Sequence, residues 1–467
     1  MAMLGKRRPP RRRSGVSGLS GRTAPATPVA EATSDEGDDI VIERLAHDGR
    51  GLTHDADGKA CFVEGALPGE RVRLAVHRQR KRFDEAHLRE VIVASPERVD
   101  PPCEHYGSCG GCDLQHLALD AQRRHKQAVL AEQLGRQGVT LAASPELLAG
   151  EGLGYRRRAR LGVRLDAEGQ LHLGFRGRRS HHLVDLAACP VLTPPLNRLI
   201  PALREQLETL EAPRQVGHLE LIDGDAGAAL VVRQLRDNPR DAERWRAFAE
   251  RQGVHLAWLV GREAPELRWL GEAPSLHYAL GEVRVSFARG DFVQVNGEVN
   301  RALVETALAW LAPAPGEALL DLFAGVGNFS LPLAFAGAQV TGVEGSPAMV
   351  ERLADNARAN DLALTARQAN LNDPEAVAQL LDEVPATGVL LDPPREGAEA
   401  VCRALARQGG DGAVTRVLYV SCDPATLARD AAILAAGGLR PERGAVADMF
   451  AQTAHLESVL LFRRGAN

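Results

Sequence analysis

From about Asp291 onward, short apolar runs alternate with stretches long enough for helices. The runs are Ala318–Phe323, Gln339–Glu344, Ala363–Gln368, Gly388–Asp392 and Arg416–Ser421. Helical segments of about 10–15 residues separate them. Such a repeat can close its backbone hydrogen bonds only as a parallel sheet with helices packed on both faces. Residues 291–467 are therefore expected to form a doubly wound, Rossmann-like α/β domain. The same feature dictates where a ligand must sit, in the crevice beyond the carboxyl ends of the strands. The tail, Leu439–Ala445 then His455–Arg463, has two strand-like runs with no helix between them. An antiparallel hairpin at the sheet edge is expected there.

The rest of the chain does not share this pattern. A total of 467 residues exceeds what one core usually organises, so several domains are expected. Residues 1–37 are rich in Gly, Ser, Pro, Ala and Thr and carry the run Lys6-Arg7-Arg8-Pro9-Pro10-Arg11-Arg12-Arg13. They hold too little apolar surface to order themselves and read as a disordered basic arm. Residues 38–99 contain short strand runs, Ile40–Arg44, Ala60–Val63, Val72–Val76 and Leu88–Ala94, between Gly and Pro turn signals. That spacing suits a small closed β-barrel of the OB type. Arg78, Arg80, Lys81 and Arg82 would form its cationic rim. Residues 100–290 read as a mixed α+β domain with a helix over Leu117–Gln137. A strand region beginning near Tyr155 crowds Arg156, Arg157, Arg158, Arg160 and Arg164, and is expected to face RNA.

Charge supports a polyanionic partner. The net charge is −5, yet residues 1–182 hold 30 Lys+Arg against 24 Asp+Glu, and the acidic excess lies in the remainder. No apolar run approaches the ~20 residues of a membrane span, and no apolar signal core follows the basic start. Seven cysteines, an odd number, do not suggest a disulfide framework. A cytoplasmic monomer, with thiols kept for metal or catalysis, is expected.

Four motifs carry chemistry. Asp321-Leu322-Phe323-Ala324-Gly325-Val326-Gly327-Asn328-Phe329 ends a strand and opens a helix. Its glycines permit a tight turn and close ligand approach, and Glu344 at the next strand end suits ribose hydroxyls. A third glycine for a pyrophosphate is missing, so an adenosyl ligand without one, S-adenosylmethionine, fits better. Asp392-Pro393-Pro394-Arg395 and Ser421-Cys422-Asp423-Pro424 follow the fourth and fifth strands and point at the same crevice. The Cys422 thiolate could attack carbon 6 of a pyrimidine, which makes carbon 5 nucleophilic. Glu457, entering the apolar run Val459–Phe462, would be the base that removes the carbon-5 proton. Finally, Cys103, Cys109 and Cys112 give C-x5-C-x2-C, with a distant Cys189-Pro190. Clustered thiols plus a Cys-Pro suggest a [4Fe–4S] cluster more than structural zinc, which usually pairs two C-x2-C knuckles. Cys61 and Cys402 read as core thiols.

With these motifs the chain resembles the RNA uracil-C5-methyltransferases, and within them the bacterial branch acting on uracil 1939 of 23S rRNA. The resemblance spans about residues 38–467. It implies that the barrel is a TRAM domain and that Cys103, Cys109, Cys112 and Cys189 ligate a [4Fe–4S] cluster. It implies cofactor contacts at Gln294, in Phe292-Val293-Gln294-Val295-Asn296, and at Phe323, Asn328, Glu344, Asn370 and Asp392. It implies Cys422 as nucleophile and Glu457 as base, and 23S rRNA as partner. Asp423 departs from the Asn of many relatives. Three alternatives stay open: an enzyme acting on another rRNA uracil or on tRNA, a cytosine-C5 enzyme, and a catalytically silent iron–sulfur regulator. The fourth strand ends without the second cysteine that cytosine enzymes carry, and the intact Cys422, Glu457 and Asp392 weigh against the last.

Overall fold

The computed structural model describes residues 39–263, 265–408 and 413–465. The basic arm expected over residues 1–37 lies outside them. The first sheet contains β1 (Ile40–Val41), β2 (Arg44–Leu45), β3 (Gly51–His54), β4 (Ala60–Glu64), β5 (Arg71–Gln79) and β6 (Phe83–Val93), in the order β1-β5-β6-β4-β3-β2. Its outer strands are consecutive in the chain, with only Ile42 and Glu43 between them. Ile42 donates its N–H to the Glu70 carbonyl and Glu43 donates to that of Leu52. One bent strand thus closes the sheet on itself, which removes its free edges. Ile42, Val63, Ala66, Val72 and Ala86 fill the interior. Arg80, Lys81 and Arg82 stand exposed at the β5–β6 turn, as the cationic rim required.

The next segment opens with α1 (Leu119–Arg136) and β7 (Glu146–Leu148). A seven-stranded sheet follows, built from β8 (Arg158–Leu165), β9 (Leu171–Arg176), β10 (Leu183–Asp185), β11 (Val216–Gly224), β12 (Gly227–Gln234), β13 (His255–Val260) and β14 (Glu266–Trp269). Helices α2 (Pro194–Glu208) and α3 (Pro239–Gln252) pack on it around Leu203, Leu219, Trp245 and Trp258. The arginine strand is β8, and its arginines divide between paired and exposed ones. Arg157 pairs with Asp225 at 2.9 Å, and buried Glu220 holds both Arg158 and Arg289. β8 lies between β9 and β11 in the sheet; Arg158 turns to its cross-strand partner Glu220, whereas Arg160 and Arg164 stand exposed on the sheet surface.

A hairpin, β15 (His277–Leu280) and β16 (Val283–Ser286), precedes the α/β domain. That domain runs α4 (Gly297–Leu311), β17 (Ala318–Leu322), α5 (Ser330–Phe335), β18 (Gln339–Glu344), α6 (Pro347–Ala359), β19 (Leu364–Gln368), α7 (Pro374–Glu383), β20 (Gly388–Leu391), α8 (Glu399–Arg407), β21 (Arg416–Ser421), α9 (Pro424–Ala436), β22 (Leu439–Ala447) and β23 (Glu457–Arg464). The sheet order is β19-β18-β17-β20-β21-β23-β22-β7, and β17 to β21 are parallel. The five strand runs seen in the sequence are these five strands. The hairpin is present but is not the edge: β23 pairs antiparallel with β21, and β7 pairs parallel outside β22. Helix α1 packs beside α9, where Val129, Leu130 and Leu134 share one core with Tyr419, Leu460 and Phe462. No helix among the described residues is long and apolar enough to cross a membrane.

Candidate active site

The parallel sheet delivers the site. Phe323 follows β17, Glu344 ends β18, Asn370 follows β19, Asp392 follows β20 and Cys422 follows β21. β23 runs the other way, so its first residue, Glu457, reaches the same edge, where Ser421 pairs with Ser458. Gln294 arrives from the loop before α4. All eight residues expected to bind cofactor or do chemistry line one cavity of about 570 Å³. That is within the size range of small-molecule sites, roughly 300–1,000 Å³.

The glycine loop is conformationally committed. Phe323, Gly325 and Gly327 all have left-handed φ, at 66°, 55° and 104°. A bulky residue such as Phe323 there costs about 1–3 kcal/mol, a strain typical of ligand sites. At Gly327 an added Cβ would sit 2.8 Å from side-chain carbons of Leu331 and Leu353. The N–H groups of Gly325 and Ser346 donate to the two oxygens of Glu344, at 3.1 and 2.9 Å, and fix its carboxylate at the loop. Two positioning residues escaped the sequence reading. Tyr278 Oη and Asn300 Nδ2 both donate to Asn328 Oδ1, at 2.9 and 2.8 Å, and set that amide's orientation. Asp423 accepts from the N–H groups of Ala425 and Thr426 and caps α9, a task Asn performs equally well.

The acids beneath the cavity disfavour one another's charge. Burial pushes Asp321 up to about 7, despite the Ser330 hydroxyl that donates to it. Burial, then the Asp321 charge, raises Asp392 to about 7. Glu457 rises well above the ordinary carboxylate range through burial and Asp392. The Cys422 thiol is pushed up to about 11 by burial and by Glu457 and Asp392, with Arg395 opposing. Such a cavity favours a cationic ligand, and it sets a nucleophile beside a base.

A second cavity, of about 530 Å³, shares Cys422, Glu457, Arg395 and Phe292 with the first. Cys103, Cys109, Cys112 and Cys189 all line it. All four are free thiols. Burial, with a smaller contribution from the neighbouring cysteines, raises Cys112 to about 12 and Cys189 to about 11. Buried thiols held neutral in this way ionise when a bound cation stabilises the thiolates. Among the described residues no group of three or more His, Cys, Asp or Glu is arranged so that it could hold a metal ion. A groove of about 510 Å³ reaches Cys422 from another side, between Arg50 and Glu64 of the barrel and Arg178, Arg179 and Arg395.

Comparison with known proteins agrees with this geometry. The model of the tRNA (uracil-5-)-methyltransferase family matches residues 119–465. A protein of Halomonas elongata named 23S rRNA (uracil(1939)-C(5))-methyltransferase RlmD is 60% identical over 99% of this chain and 96% of its own length. Proteins of the same name from Chromohalobacter salexigens and Pseudomonas putida are 58% and 44% identical, over 99% and 95% of this chain and 96% of each relative. The crystal structure of Pyrococcus abyssi tRNA (uracil-54, C5)-methyltransferase in complex with S-adenosyl-L-homocysteine shares the fold, with a TM-score of 0.72 and 24% identity, over 91% of this chain and 100% of that one. The chain belongs to the uracil-C5-methyltransferase family.

Proposed function

We propose that this protein transfers a methyl group from S-adenosylmethionine to C5 of uracil 1939 in 23S rRNA, through a covalent bond between Cys422 and C6. The observation that carries the reading is one cavity shared by a glycine loop with an acidic ribose site and by a thiol next to a buried carboxylate. The names of its relatives support the rRNA target. A polar groove, where Arg50, Arg178 and Arg179 pair with Asp48, Asp113 and Glu64, gives a nucleotide a way to Cys422, and the exposed Arg80, Lys81 and Arg82 of the barrel support a polyanionic substrate.

S-Adenosylmethionine supplies an electrophilic methyl group on a cationic sulfonium. Glu344 would hold the ribose, Asn370 the adenine side, and Gln294, Phe323, Asn328 and Asp392 the remainder. The Cys422 thiolate adds to C6 of a uracil turned out of its stack, and C5 becomes nucleophilic. Once C5 carries the methyl group, Glu457 takes the C5 proton. The electrons of that C–H bond form the C5–C6 double bond as the Cys422–C6 bond breaks onto sulfur.

The four cysteines fit a [4Fe–4S] cluster, being soft thiols on one cavity wall drawn from two distant parts of the chain. Held together, they would pin residues 103–112 to Cys189, a structural role, since nothing in the methyl transfer consumes electrons. The domain plan follows: TRAM-type barrel over 38–99, iron–sulfur and RNA-binding domain over 100–290, methyltransferase domain over 291–467, acting as a monomer in the cytoplasm. The decisive test maps methyluridine in 23S rRNA from a strain lacking the gene. Loss at position 1939, restored by the wild-type chain and not by Cys422→Ala, is expected. Methylation that survives at 1939 overturns the target, and activity retained by Cys422→Ala overturns the mechanism. Anaerobic purification should give a coloured protein with equal iron and sulfide. A colourless one with stoichiometric zinc would refute the cluster.

A further inference from the structure

The nine residues between β22 and β23, 448–456, lead directly into Glu457, and they are gripped from outside the methyltransferase domain. Lys126 of α1 is fully buried and donates to Asp448 Oδ1 at 2.7 Å and to the Phe450 carbonyl at 3.0 Å. Arg123 Nε donates to Asp448 Oδ2 at 3.1 Å. Gln122 and Gln452, both buried, form a two-way clamp: Gln122 Nε2 donates to Gln452 Oε1, and the Gln452 N–H donates to Gln122 Oε1, each at 3.0 Å. The Gln452 carbonyl accepts from the N–H groups of Asp113 and Leu114, the two residues after Cys112. Tyr155 Oη donates to the Ala451 carbonyl at 2.9 Å.

This concentration of contacts needs a reason. Gln452 holds a left-handed φ of 69°, a conformation that costs energy for a residue with a side chain. A buried Lys–Asp pair adds little net stability over an apolar pair of like size, so stability alone does not account for it. What it does provide is one fixed path for the chain into Glu457. A base misplaced by about 1 Å can lose roughly 100-fold in rate.

We propose that Lys126 and Gln122 are positioning residues for Glu457, holding the 448–456 connection so that the carboxylate meets the C5 proton of the substrate adduct. The proposal rests on the reading of Glu457 as the base. It predicts a fault at one step. Addition of Cys422 to C6 and methylation at C5 continue, whereas proton removal slows and the methylated adduct accumulates on Cys422.

The test uses the full-length protein with an rRNA fragment containing the target. Compared are wild type, Glu457→Gln, the paired replacement Lys126→Met with Asp448→Leu, and Gln122→Leu. The pair is replaced together so that neither Lys126 nor Asp448 is left buried alone, and Arg123 keeps Asp120 and the Gly150 carbonyl. Readouts are the fraction of protein covalently bound to RNA after denaturation, the KM for S-adenosylmethionine, and kcat. In the paired variant and in Gln122→Leu, kcat should fall about tenfold, the methylated adduct should rise at least about fivefold, and KM should stay within about twofold. Unchanged adduct with unchanged kcat would overturn the proposal. So would parallel loss of donor affinity and of adduct, which marks a general structural role. If the paired variant does not fold, Gln122→Leu decides alone. Glu457→Gln separates the two readings: if it traps no adduct, Glu457 is not the base, and if it traps adduct while the other variants do not, only the positioning role fails.

Discussion

Asp321 lies under the glycine loop as a fully buried acid whose second oxygen has no hydrogen-bond partner among the described residues. Burial raises its folded-state pKa to about 7, so the folded chain binds a proton that the unfolded chain releases from about pH 4 upward. Stability must therefore fall as pH rises through that window, because the cost of burying the charge is fully felt only above the folded pKa. Asp321→Asn keeps an acceptor for Ser330 and removes the ionisation. Its melting temperature should exceed the wild type's by a few degrees near pH 8, with the gap closing toward about pH 4. Thermal scans across pH check this, and a constant gap would refute it. Tyr278 acts on the cofactor side. Tyr278→Phe leaves Asn328 Oδ1 with Asn300 as its remaining donor, and one lost hydrogen bond of about 1 kcal/mol should raise the KM for S-adenosylmethionine roughly fivefold at nearly constant kcat. Initial rates at varied donor concentration measure it. Cys422 and Glu457 were legible in the sequence because each occupies a strand end that the alternation locates. Tyr278 was not, since its hairpin lies 50 residues before Asn328 and only the folded chain joins them.

At the scale of elements, the strand periodicity carried the most information and the shortest strand the least. β17, β20 and β21 read as near-continuous buried runs, which burial on both faces makes visible, whereas β19 at the sheet edge has no buried residue and was placed by the strand–helix alternation. β7 has three residues, Glu146–Leu148, two of them exposed, and it pairs with Ala445–Ala447 from the far end of the chain. Nothing periodic marks a strand that short, so the covered sheet edge could not be read. Arginine-rich β8 was legible only in part for a related reason: charge density is local, whereas Glu220 and Asp225, which take up Arg158 and Arg157, arrive from β11 and the turn after it, and Arg160 and Arg164 stay exposed. The loop after β17 has little room for change. Gly327→Ala adds a Cβ within 2.8 Å of two leucine side chains at φ 104°, and should cost about 2–3 kcal/mol while weakening donor binding. Denaturant unfolding and donor titration test both effects. Wild-type stability in the variant would mean that the loop relaxes without penalty.

Across the whole molecule, three concavities converge on Cys422: the cofactor cavity, the cysteine-lined cavity and the groove along the barrel. A thiol reached from several sides can receive a methyl donor and a nucleotide from different directions, which attack at C6 and transfer to C5 require. On the proposed reading the barrel contributes electrostatically. Arg80, Lys81 and Arg82 project at the β5–β6 turn, exposed to solvent. Each phosphate that such a side chain neutralises releases counterions, so binding weakens with salt by about 0.7–0.9 logarithmic units per contact. Replacing all three by Ala should make the salt dependence of rRNA-fragment binding shallower by about two such contacts and weaken binding at low salt. At saturating RNA, kcat should stay near wild type, because these side chains hold the polymer at a distance from the reacting carbon. Binding titrations at several salt concentrations, with kcat measured alongside, separate the two effects. An unchanged slope would remove the rim from the RNA path. A fall in kcat at saturation would mean that the barrel helps to orient the uracil as well as to hold the strand that carries it.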